Sequence, residues 1–246
     1  MKRARVVYQG AEWAATESAG KVCLSDGRRL AESEVTWLPP VTPRTIFAVG
    51  LNYADHAKEL AFTPPTEPLV FLKGPNAITG HRATVRRPSD VTFMHYECEL
   101  AVVIGRSARR VREAEALEYV AGYTVANDYA FRDYLENYYR PNLRVKGRDR
   151  ATPLGPWLAD AADVPNPANL DIRTTVNGTE TQRGSTKDMI FSVAWLIEYL
   201  SGFLTLSAGD LILTGTPEGL ANTRVGDIVT TEVEGVGRLT STITGA

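Results

Sequence analysis

The sequence predicts an α+β fold that is mostly β, and three observations lead to this prediction. Apolar, β-rich runs that end at glycine or turn residues recur along the chain, helical patterns are few, and strands do not alternate regularly with helices. A length of 246 residues allows one such fold to bury a core without disulfide or metal staples. We therefore expect a strand-rich fold rather than a doubly wound parallel sheet.

Residues 1–43 have the pattern of a small β unit in front of the main body. Two alternating stretches are followed by Asp26 and Gly27, a pair that is typical of a hairpin turn. A cluster of prolines that ends at Pro43 then interrupts regular structure. We predict a boundary here, with an N-terminal appendage at 1–43 and the main domain at 44–246.

Strands in the main domain are predicted from apolar runs that end at glycine or turn residues. Near the end of the chain, two alternating segments flank Gly235 and Gly237, which is typical of a hairpin. The remaining predicted strands are 45–50, 69–73, 97–105 and 210–215.

Helices are predicted at three places. Residues 187–201 carry an apolar stripe at helical spacing, with Ser185 as the predicted cap and Gly202 at the end. Shorter helices are predicted at 53–60 and 132–139.

Composition and charge exclude several classes of protein. The 27 Lys and Arg against 29 Asp and Glu give a formal charge of −2, without the positive excess of a nucleic-acid or membrane-surface binder. No apolar run reaches the roughly 18 residues that cross a bilayer, and the first residues lack the apolar core of a secretory signal. Cys23 and Cys98 make neither a disulfide framework nor a zinc cluster. We expect a cytoplasmic protein that binds neither nucleic acid nor membrane.

Three acidic residues form the strongest candidate site. Glu97 and Glu99 flank Cys98 and share one face of a predicted strand, because successive side chains alternate. Two like charges on an apolar strand repel each other and lose solvation, so a cation or a proton must compensate. Asp128 ends another apolar stretch, and carboxylates without a Cys/His cluster favour Mg²⁺ or Mn²⁺ ahead of Ca²⁺. The alternative is a half-exposed strand with a solvated face.

A basic segment lies between residues 140 and 150. Its cationic residues are Arg140, Arg144, Lys146, Arg148 and Arg150. A solvated basic face is the simplest interpretation of most of them. Lys146 differs because it lies between Val145 and Gly147, close to Asp149. Beside a metal site with three carboxylates, this cluster favours an anionic, polycarboxylate ligand.

The histidines have different expected roles. His56 and Glu59 are i,i+3 neighbours in a predicted helix, so the carboxylate can orient the imidazole and raise its basicity. A catalytic and a structural role are both open for His56. His95 shares the face of Glu97 by alternation and is expected to support or pack, whereas His81 is expected at the surface.

The segment Thr214 to Pro217 ends a predicted strand in a tight turn. Its N–H groups and hydroxyl can hold a carboxylate, although an ordinary turn that ends a strand is the alternative.

These segments together resemble the fumarylacetoacetate hydrolase family, and the resemblance covers the chain from about residue 44 onward. It implies the family's mixed β-roll of the C-terminal-domain type around a central pocket, usually in a dimer. The segments are GLNYADHAKE (50–59), PLVFLKGPNAITG (68–80), HYECELAVVIG (95–105), AGYTVANDYAFRD (121–133), TVNGTETQRGSTKDMIF (175–191) and GDLILTGTPEG (209–219).

The resemblance also implies roles for individual residues. Residues 127–133 depart from the pattern that is common in hydrolase members, which disfavours carbon–carbon hydrolysis. Catalytic roles fall on His56, Glu59 and Lys146, substrate contacts on Arg132, Gly215 and Thr216, and metal ligands on Glu97, Glu99 and Asp128.

Within the family, residues 133–157 look most like members of 4-hydroxyphenylacetate (homoprotocatechuate) catabolism, in their C-terminal half or subunit. The implied activity is Mg²⁺-dependent decarboxylation of 5-oxopent-3-ene-1,2,5-tricarboxylate and isomerisation of 2-hydroxyhepta-2,4-diene-1,7-dioate, with Mn²⁺ or Ca²⁺ as alternative ions. The implied partners are a small polycarboxylate 2-oxo acid and either a second copy of the chain or a homologous subunit. An acylpyruvate hydrolase, a 2-oxopent-4-enoate hydratase and a non-catalytic subunit are the alternatives.

Overall fold

The structure is a computed structural model that describes residues 1–135 and 143–245. Strands dominate it, so the predicted α+β, mostly β class is confirmed. The strands are β1 (Lys2–Tyr8), β2 (Ala11–Ser18), β3 (Lys21–Leu24), β4 (Arg29–Leu30), β5 (Thr36–Leu38), β6 (Ile46–Gly50), β7 (Leu69–Lys73), β8 (Ile78–Thr79), β9 (Thr84–Arg87), β10 (Met94–His95), β11 (Cys98–Ile104), β12 (Val120–Asn127), β13 (Ala130–Phe131), β14 (Thr152–Asp160), β15 (Asp171–Val176), β16 (Thr179–Ser185), β17 (Leu211–Leu213), β18 (Ile228–Val233) and β19 (Gly237–Gly245).

Helices are short in the described ranges. None of them is long and apolar enough to cross a bilayer. The α-helices are α1 (Ala54–Glu59), α2 (Leu143–Lys146) and α3 (Val193–Phe203). The 3-10 helices are Glu32–Glu34, Pro75–Ala77, Glu113–Tyr119, Arg132–Tyr134, Ala161–Asp163 and Thr186–Asp188.

Two sheets and a short ladder organise the strands. The 12-stranded sheet runs β4-β3-β2-β1-β14-β12-β11-β17-β6-β7, with β5 beside β1 and β8 beside β14. The five-stranded sheet runs β16-β15-β18-β19-β9, and β10 pairs with β13 in a two-stranded ladder. The pairs β17/β6, β14/β8 and β19/β9 are parallel, whereas the other strand pairs are antiparallel. The predicted strands of the main domain and the C-terminal hairpin are confirmed as β6, β7, β11, β17 and β18–β19.

The largest core cluster lies where β11 and β12 of the large sheet meet α3 and the small sheet. Leu100 of β11, Tyr123 of β12 and Leu196 of α3 are fully buried in it, together with Ile172 of β15. On the opposite face of β11, Glu99 lies at the candidate site, whereas Ala101 and Val103 fill a second core cluster.

The helix predicted at 187–201 begins later than predicted, at Val193. The Ser192 hydroxyl caps it by accepting a hydrogen bond from the Trp195 amide at 3.1 Å. Residues 190 and 191 are instead held by Asn52, whose carbonyl accepts from the Ile190 amide (2.7 Å) and whose Oδ1 accepts from the Phe191 amide (2.8 Å). These contacts from a distant loop override the local helical pattern.

The two shorter helix predictions have different outcomes. The helix predicted at 53–60 is confirmed as α1. At 132–139 the structure has a 3-10 turn over Arg132–Tyr134, and residues 136–142 lie outside the described residues.

The N-terminal segment adds strands to the large sheet. β1 pairs with β14 through Lys2–Ala159 and Arg3–Leu158, and β2 to β4 continue outward from it. A separate apolar cluster in this region includes Trp37 and Trp157. The division of domains at residue 43 stays a prediction.

Candidate active site

Strand pairing brings the three predicted acidic residues together. β11 is antiparallel to β12, and its first residue, Cys98, lies opposite the last residue of β12, Asn127. Glu97, just before β11, and Asp128, just after β12, therefore lie at the same end of the strand pair. The Asp128 amide donates to the Glu97 carbonyl at 2.9 Å, which fixes the two backbones. Ligand oxygens of Glu97, Glu99 and Asp128 lie within 4.8 Å of one another, and all three residues are buried.

The acidic triad, as we call these three residues, fits a divalent cation. Among the described residues, Asp128 Oδ2 is buried and accepts no hydrogen bond, although the Lys146 ammonium lies 3.0 Å away. Burial, followed by the charges of Asp128 and Glu97, raises the pKa of Glu99 well above its ordinary value. Three buried carboxylates held this close need a positive charge between them, and oxygen ligands suit Mg²⁺ or Mn²⁺.

Two buried lysines lie against the acidic triad. Lys146 Nζ donates to Glu97 Oε2 and to the Asp128 carbonyl, the latter at 3.0 Å. Burial alone would lower the pKa of Lys146, but Asp128 and the two glutamates outweigh it and raise this pKa. Lys73, at the end of β7, donates to Asp128 Oδ1 at 2.7 Å and to the Lys146 carbonyl.

Lys73 was not among the predicted site residues. A lysine at the end of the apolar run 69–73 was the available signal, because lysine is almost never fully buried without a charged partner. Its side chain is 0% exposed in the structure.

The turn after β17 supports the acidic triad rather than exposing all its amides. The Gly215 amide donates to Glu99 Oε2 at 2.8 Å, so a carboxylate of the chain itself takes the donor that was predicted for substrate. Thr216 Oγ1 accepts from Gln182 Nε2 at 2.9 Å, and Gln182 also donates to the Pro217 carbonyl. Because Gln182 occupies an acceptor position, the Thr216 hydroxyl keeps its hydrogen for another partner. Gln182 also escaped prediction, since an isolated glutamine in a strand carries no signal.

His56 and Glu59 form the predicted pair. On α1, His56 Nδ1 lies 3.1 Å from Glu59 Oε2. The other oxygen, Glu59 Oε1, accepts from the amides of Gly219 (3.1 Å) and Leu220 (3.0 Å). Glu59 therefore orients the imidazole and ties α1 to the 218–220 loop.

His95 and Arg132 meet beside Glu97. Arg132 Nε donates to His95 Nε2 at 2.6 Å, and Arg132 Nη2 lies 3.7 Å from Glu97 Oε1. Burial, followed by the charges of Arg132 and Lys146, lowers the pKa of His95 well below its ordinary value. The expectation that His95 supports the site agrees with this contact.

His81 is buried, so its predicted surface position is wrong. Its ring packs edge-on against Trp37 at 5.2 Å, and its Nδ1 accepts from the Thr240 amide at 3.0 Å. Burial, followed by the charge of Arg82, lowers the pKa of His81 to about 3. Contacts between distant segments cover a histidine that local sequence places in a loop.

Most of the predicted site residues line one pocket. It encloses about 570 Å³ of empty space, open solvent at its mouth included, and all predicted site residues except Glu59 line it. Its polar lining is His56, Glu97, Glu99, Asp128, Arg132, Lys146 and Thr216. The apolar lining includes Val49, Leu51, Leu60, Phe62, Leu69 and Phe71.

The rest of the basic segment lies apart from the acidic triad. Arg144 and Arg148 stack on the Tyr134 ring at 4.0 and 4.6 Å. Arg150 is exposed, and Arg140 lies outside the described residues. Of this segment, Lys146 is thus the described cation that reaches the acidic triad.

A model of the fumarylacetoacetate (FAA) hydrolase C-terminal domain matches residues 45–244, which is most of the chain. The chain belongs to the fumarylacetoacetate hydrolase family. This confirms the resemblance and the fold class drawn from the sequence.

A curated relative narrows the position of the chain in the family. The 4-hydroxyphenylacetate degradation bifunctional isomerase/decarboxylase of Salmonella dublin is 62% identical over 208 residues, which cover 85% of this chain and 48% of that protein. The chain spans about half the length of such relatives, two of which, from Escherichia coli, are covered to 46%.

Two solved structures resemble the whole fold. A 5-carboxymethyl-2-hydroxymuconate delta-isomerase from Mycobacterium smegmatis has a TM-score of 0.87 at 36% identity, covering 100% of this chain and 99% of that one. A fumarylpyruvate hydrolase from Pseudomonas aeruginosa was solved in complex with Mn²⁺ and pyruvate. It has a TM-score of 0.78 at 34% identity, and the match covers 85% of this chain and 91% of that one.

Proposed function

We propose that the chain is a divalent-cation-dependent enzyme of 4-hydroxyphenylacetate (homoprotocatechuate) catabolism. It would decarboxylate 5-oxopent-3-ene-1,2,5-tricarboxylate and isomerise 2-hydroxyhepta-2,4-diene-1,7-dioate. The observation that carries this proposal is the buried acidic triad, which shares one pocket with Lys146, Arg132 and His56. The identity of 62% to a bifunctional isomerase/decarboxylase supports the choice of substrates.

The acidic triad would hold Mg²⁺, with Mn²⁺ or Ca²⁺ as alternatives. When bound, such a cation supplies Lewis acidity that stabilises negative charge developing on the 5-oxo oxygen of the tricarboxylate. The Mn²⁺ in the fumarylpyruvate hydrolase structure supports a divalent ion in this family.

Lys146 and Arg132 would orient the anionic groups of the substrate. Both residues line the pocket on the side of Glu97. In the decarboxylation, the bond between C2 and its carboxylate breaks, CO₂ leaves, and the electron pair moves through the C3=C4 double bond onto the 5-oxo oxygen, whose protonation gives 2-hydroxyhepta-2,4-diene-1,7-dioate. Holding the breaking bond parallel to the π orbitals of that conjugated system is the task of the two cations. The Thr216 hydroxyl hydrogen is available for a further carboxylate oxygen.

His56 would move the proton in the second reaction. The isomerisation takes the proton from the 2-hydroxyl oxygen and adds one to a chain carbon, which yields 2-oxohept-3-ene-1,7-dioate. His56 lines the pocket and Glu59 holds its Nδ1, so Nε2 is the nitrogen left for this proton transfer.

Purified chain with Mg²⁺ should release CO₂ from the tricarboxylate, and EDTA should stop it. Glu97→Gln should abolish decarboxylation and isomerisation together, because both reactions would use the cation held by the carboxylate oxygens of the acidic triad. Glu118→Gln, at a side chain that is 69% exposed, is the matched control. Turnover that continues in EDTA, or a Glu97→Gln protein that keeps either activity, would contradict the proposal.

Hydrolysis of an acylpyruvate is the second candidate, because the His56–Glu59 pair could activate water instead of moving a proton on carbon. The fumarylpyruvate hydrolase among the similar structures supports testing it. A panel of the tricarboxylate, an acylpyruvate and 2-oxopent-4-enoate separates these candidates by their kcat/KM values. Faster cleavage of the acylpyruvate than decarboxylation of the tricarboxylate would favour a hydrolase.

We further propose that the chain works as a homodimer or beside a homologous subunit. Its span of about half the length of the bifunctional relatives supports this assembly. The complete acidic triad disfavours a non-catalytic role. Light scattering of the chain alone, combined with the activity assay, tests whether a partner is required. A cytoplasmic location stays a prediction.

A further inference from the structure

We propose that His95 is a positioning residue, which fixes the Arg132 guanidinium for a substrate carboxylate remote from the acidic triad. The sequence assigned His95 no task beyond support or packing. This inference rests on the proposed function in one respect, since it takes Arg132 as the residue that meets an anionic group of the substrate.

The hydrogen bonds of His95 determine its tautomer. Nδ1 lies 3.0 Å from the Tyr96 carbonyl oxygen, which can only accept, so Nδ1 carries the hydrogen. Nε2 lies 2.6 Å from Arg132 Nε, which can only donate, so Nε2 presents its lone pair. Both contacts are satisfied together by the neutral Nδ1–H imidazole alone.

The backbone around this contact is held on both sides. β10 and β13 pair with His95 opposite Ala130, and the Arg132 amide donates to the Phe93 carbonyl at 2.9 Å. The Asp133 carboxylate accepts from the amides of Thr92 and Phe93 at 3.0 and 2.9 Å. The short ladder therefore holds the two residues at one fixed separation.

A neutral acceptor has a specific consequence for Arg132. A guanidinium is planar, so a hydrogen bond at Nε sets the direction of both Nη groups. A carboxylate at position 95 would also hold Nε, but it would neutralise the arginine and place a fourth acid next to Glu97. The imidazole holds Arg132 without adding a negative charge beside Glu97.

The test compares two ligands of equal chain length on the Mg²⁺-loaded protein. 2-Oxoadipate carries a carboxylate at carbon 6, and 2-oxohexanoate has a methyl group there. Calorimetry should show that His95→Leu weakens 2-oxoadipate binding about tenfold, because a hydrogen bond to a charged group is lost, and changes 2-oxohexanoate binding less than twofold. His95→Gln, whose side-chain oxygen reaches the position of Nε2, should restore 2-oxoadipate affinity to within about threefold.

Two further variants separate positioning from general damage. In an Arg132→Met background, His95→Leu should have no additional effect on 2-oxoadipate, because the two residues act as one unit. His81→Leu removes another buried histidine outside the pocket and should leave both affinities unchanged. Equal losses for the two ligands, or additive losses in the double variant, would overturn the inference.

A spectroscopic measurement tests the inference without any ligand. Nitrogen NMR of the ligand-free protein should show His95 as the neutral Nδ1–H form and a slowly exchanging Arg132 Nε–H, which His95→Leu abolishes. The Nε2–H form, or a charged His95 at neutral pH, would overturn it. A wild-type protein that shows the expected tautomer but binds neither ligand would instead contradict the proposed function.

Discussion

At the scale of single residues, burial determines the state of two of the histidines. His81 and His95 are 5% and 0% exposed, and burial is the first cause that lowers the pKa of each. Their roles nevertheless differ. His81 packs against Trp37 of the N-terminal strands, whereas His95 holds Arg132 at the pocket. A neutral imidazole is required in both places.

His81 makes stability depend on pH. Its pKa is about 3 in the folded chain against an ordinary 6.5, so the unfolded chain binds the proton more readily. The free energy of unfolding therefore falls as pH drops below about 6.5, and His81 contributes about 2 kcal/mol of this loss at pH 5. His81→Leu should be less stable than wild type at pH 7, because the Thr240 amide loses its acceptor, and denaturant titration should show the gap narrowing by about 2 kcal/mol at pH 5. A gap that is independent of pH would show that His81 does not stay neutral.

Gly215 carries both a backbone and a packing requirement. Its φ is +86°, and a Cβ would lie 3.0 Å from Asn52 Cβ and 3.1 Å from the Val49 carbonyl oxygen. Gly178 has a similar φ of +83° with nothing within 4 Å, so Gly178→Ala measures the backbone cost alone, about 1 kcal/mol. Gly215→Ala should cost at least about 1 kcal/mol more in urea unfolding and should weaken cation binding, because its amide supports Glu99. Equal losses of unfolding free energy in Gly215→Ala and Gly178→Ala would show that a Cβ at position 215 meets no steric obstacle.

At the scale of elements, α3 shows how distant contacts set a boundary. The apolar stripe that predicted a helix from residue 187 is real, but Asn52 holds residues 190 and 191 out of the helix. Asn52, in the loop before α1, therefore keeps these two residues out of the helix through its main-chain carbonyl and its side chain. Such a contact between residues 139 positions apart is invisible to local periodicity.

Ser192 should behave as the true cap of α3. Ser192→Ala removes the acceptor of the Trp195 amide and should lower the free energy of unfolding by about 1 kcal/mol. Ser192→Thr keeps the hydroxyl and should recover most of this loss. Ser33→Ala, at an exposed serine, should lie within about 0.5 kcal/mol of wild type in the same thermal or denaturant series. A Ser192→Ala protein as stable as wild type would show that Ser192 is not the cap of α3.

Strand alternation predicted the shared face of Glu97 and Glu99, and composition favoured a hard cation. Residue pattern singled out Lys146 and His56 but left their roles open, and the family resemblance supplied those roles and the role of Arg132. Their meeting in one pocket required the fold. Lys73 and Gln182 were missed because each acts through a partner brought from far along the chain, Asp128 and Thr216 respectively. Local pattern thus identified the carboxylates of the candidate site but not the groups that hold them.

At the scale of the whole molecule, cation binding should stabilise the fold. Cation at about 100 times its Kd adds about 2.7 kcal/mol, which corresponds to a rise in Tm of roughly 5–10 °C for a chain of this size. In calorimetric scans, Mg²⁺ and Mn²⁺ should raise the Tm more than Ca²⁺ does. Glu99→Gln should abolish the rise while leaving the ion-free protein at least as stable, since burial already disfavours the charged form of Glu99. A rise that persists in Glu99→Gln would locate the ion elsewhere.

The ammonium of Lys146 already touches oxygens that an arriving ion would take. It donates to Glu97 Oε2 and lies 3.0 Å from Asp128 Oδ2. Two positive charges repel at this range, so an ion held by the acidic triad would compete with Lys146 for these oxygens. The Lys146 ammonium would then be available to an anionic group of the substrate, so occupancy of the acidic triad and binding of the substrate would be coupled through one side chain.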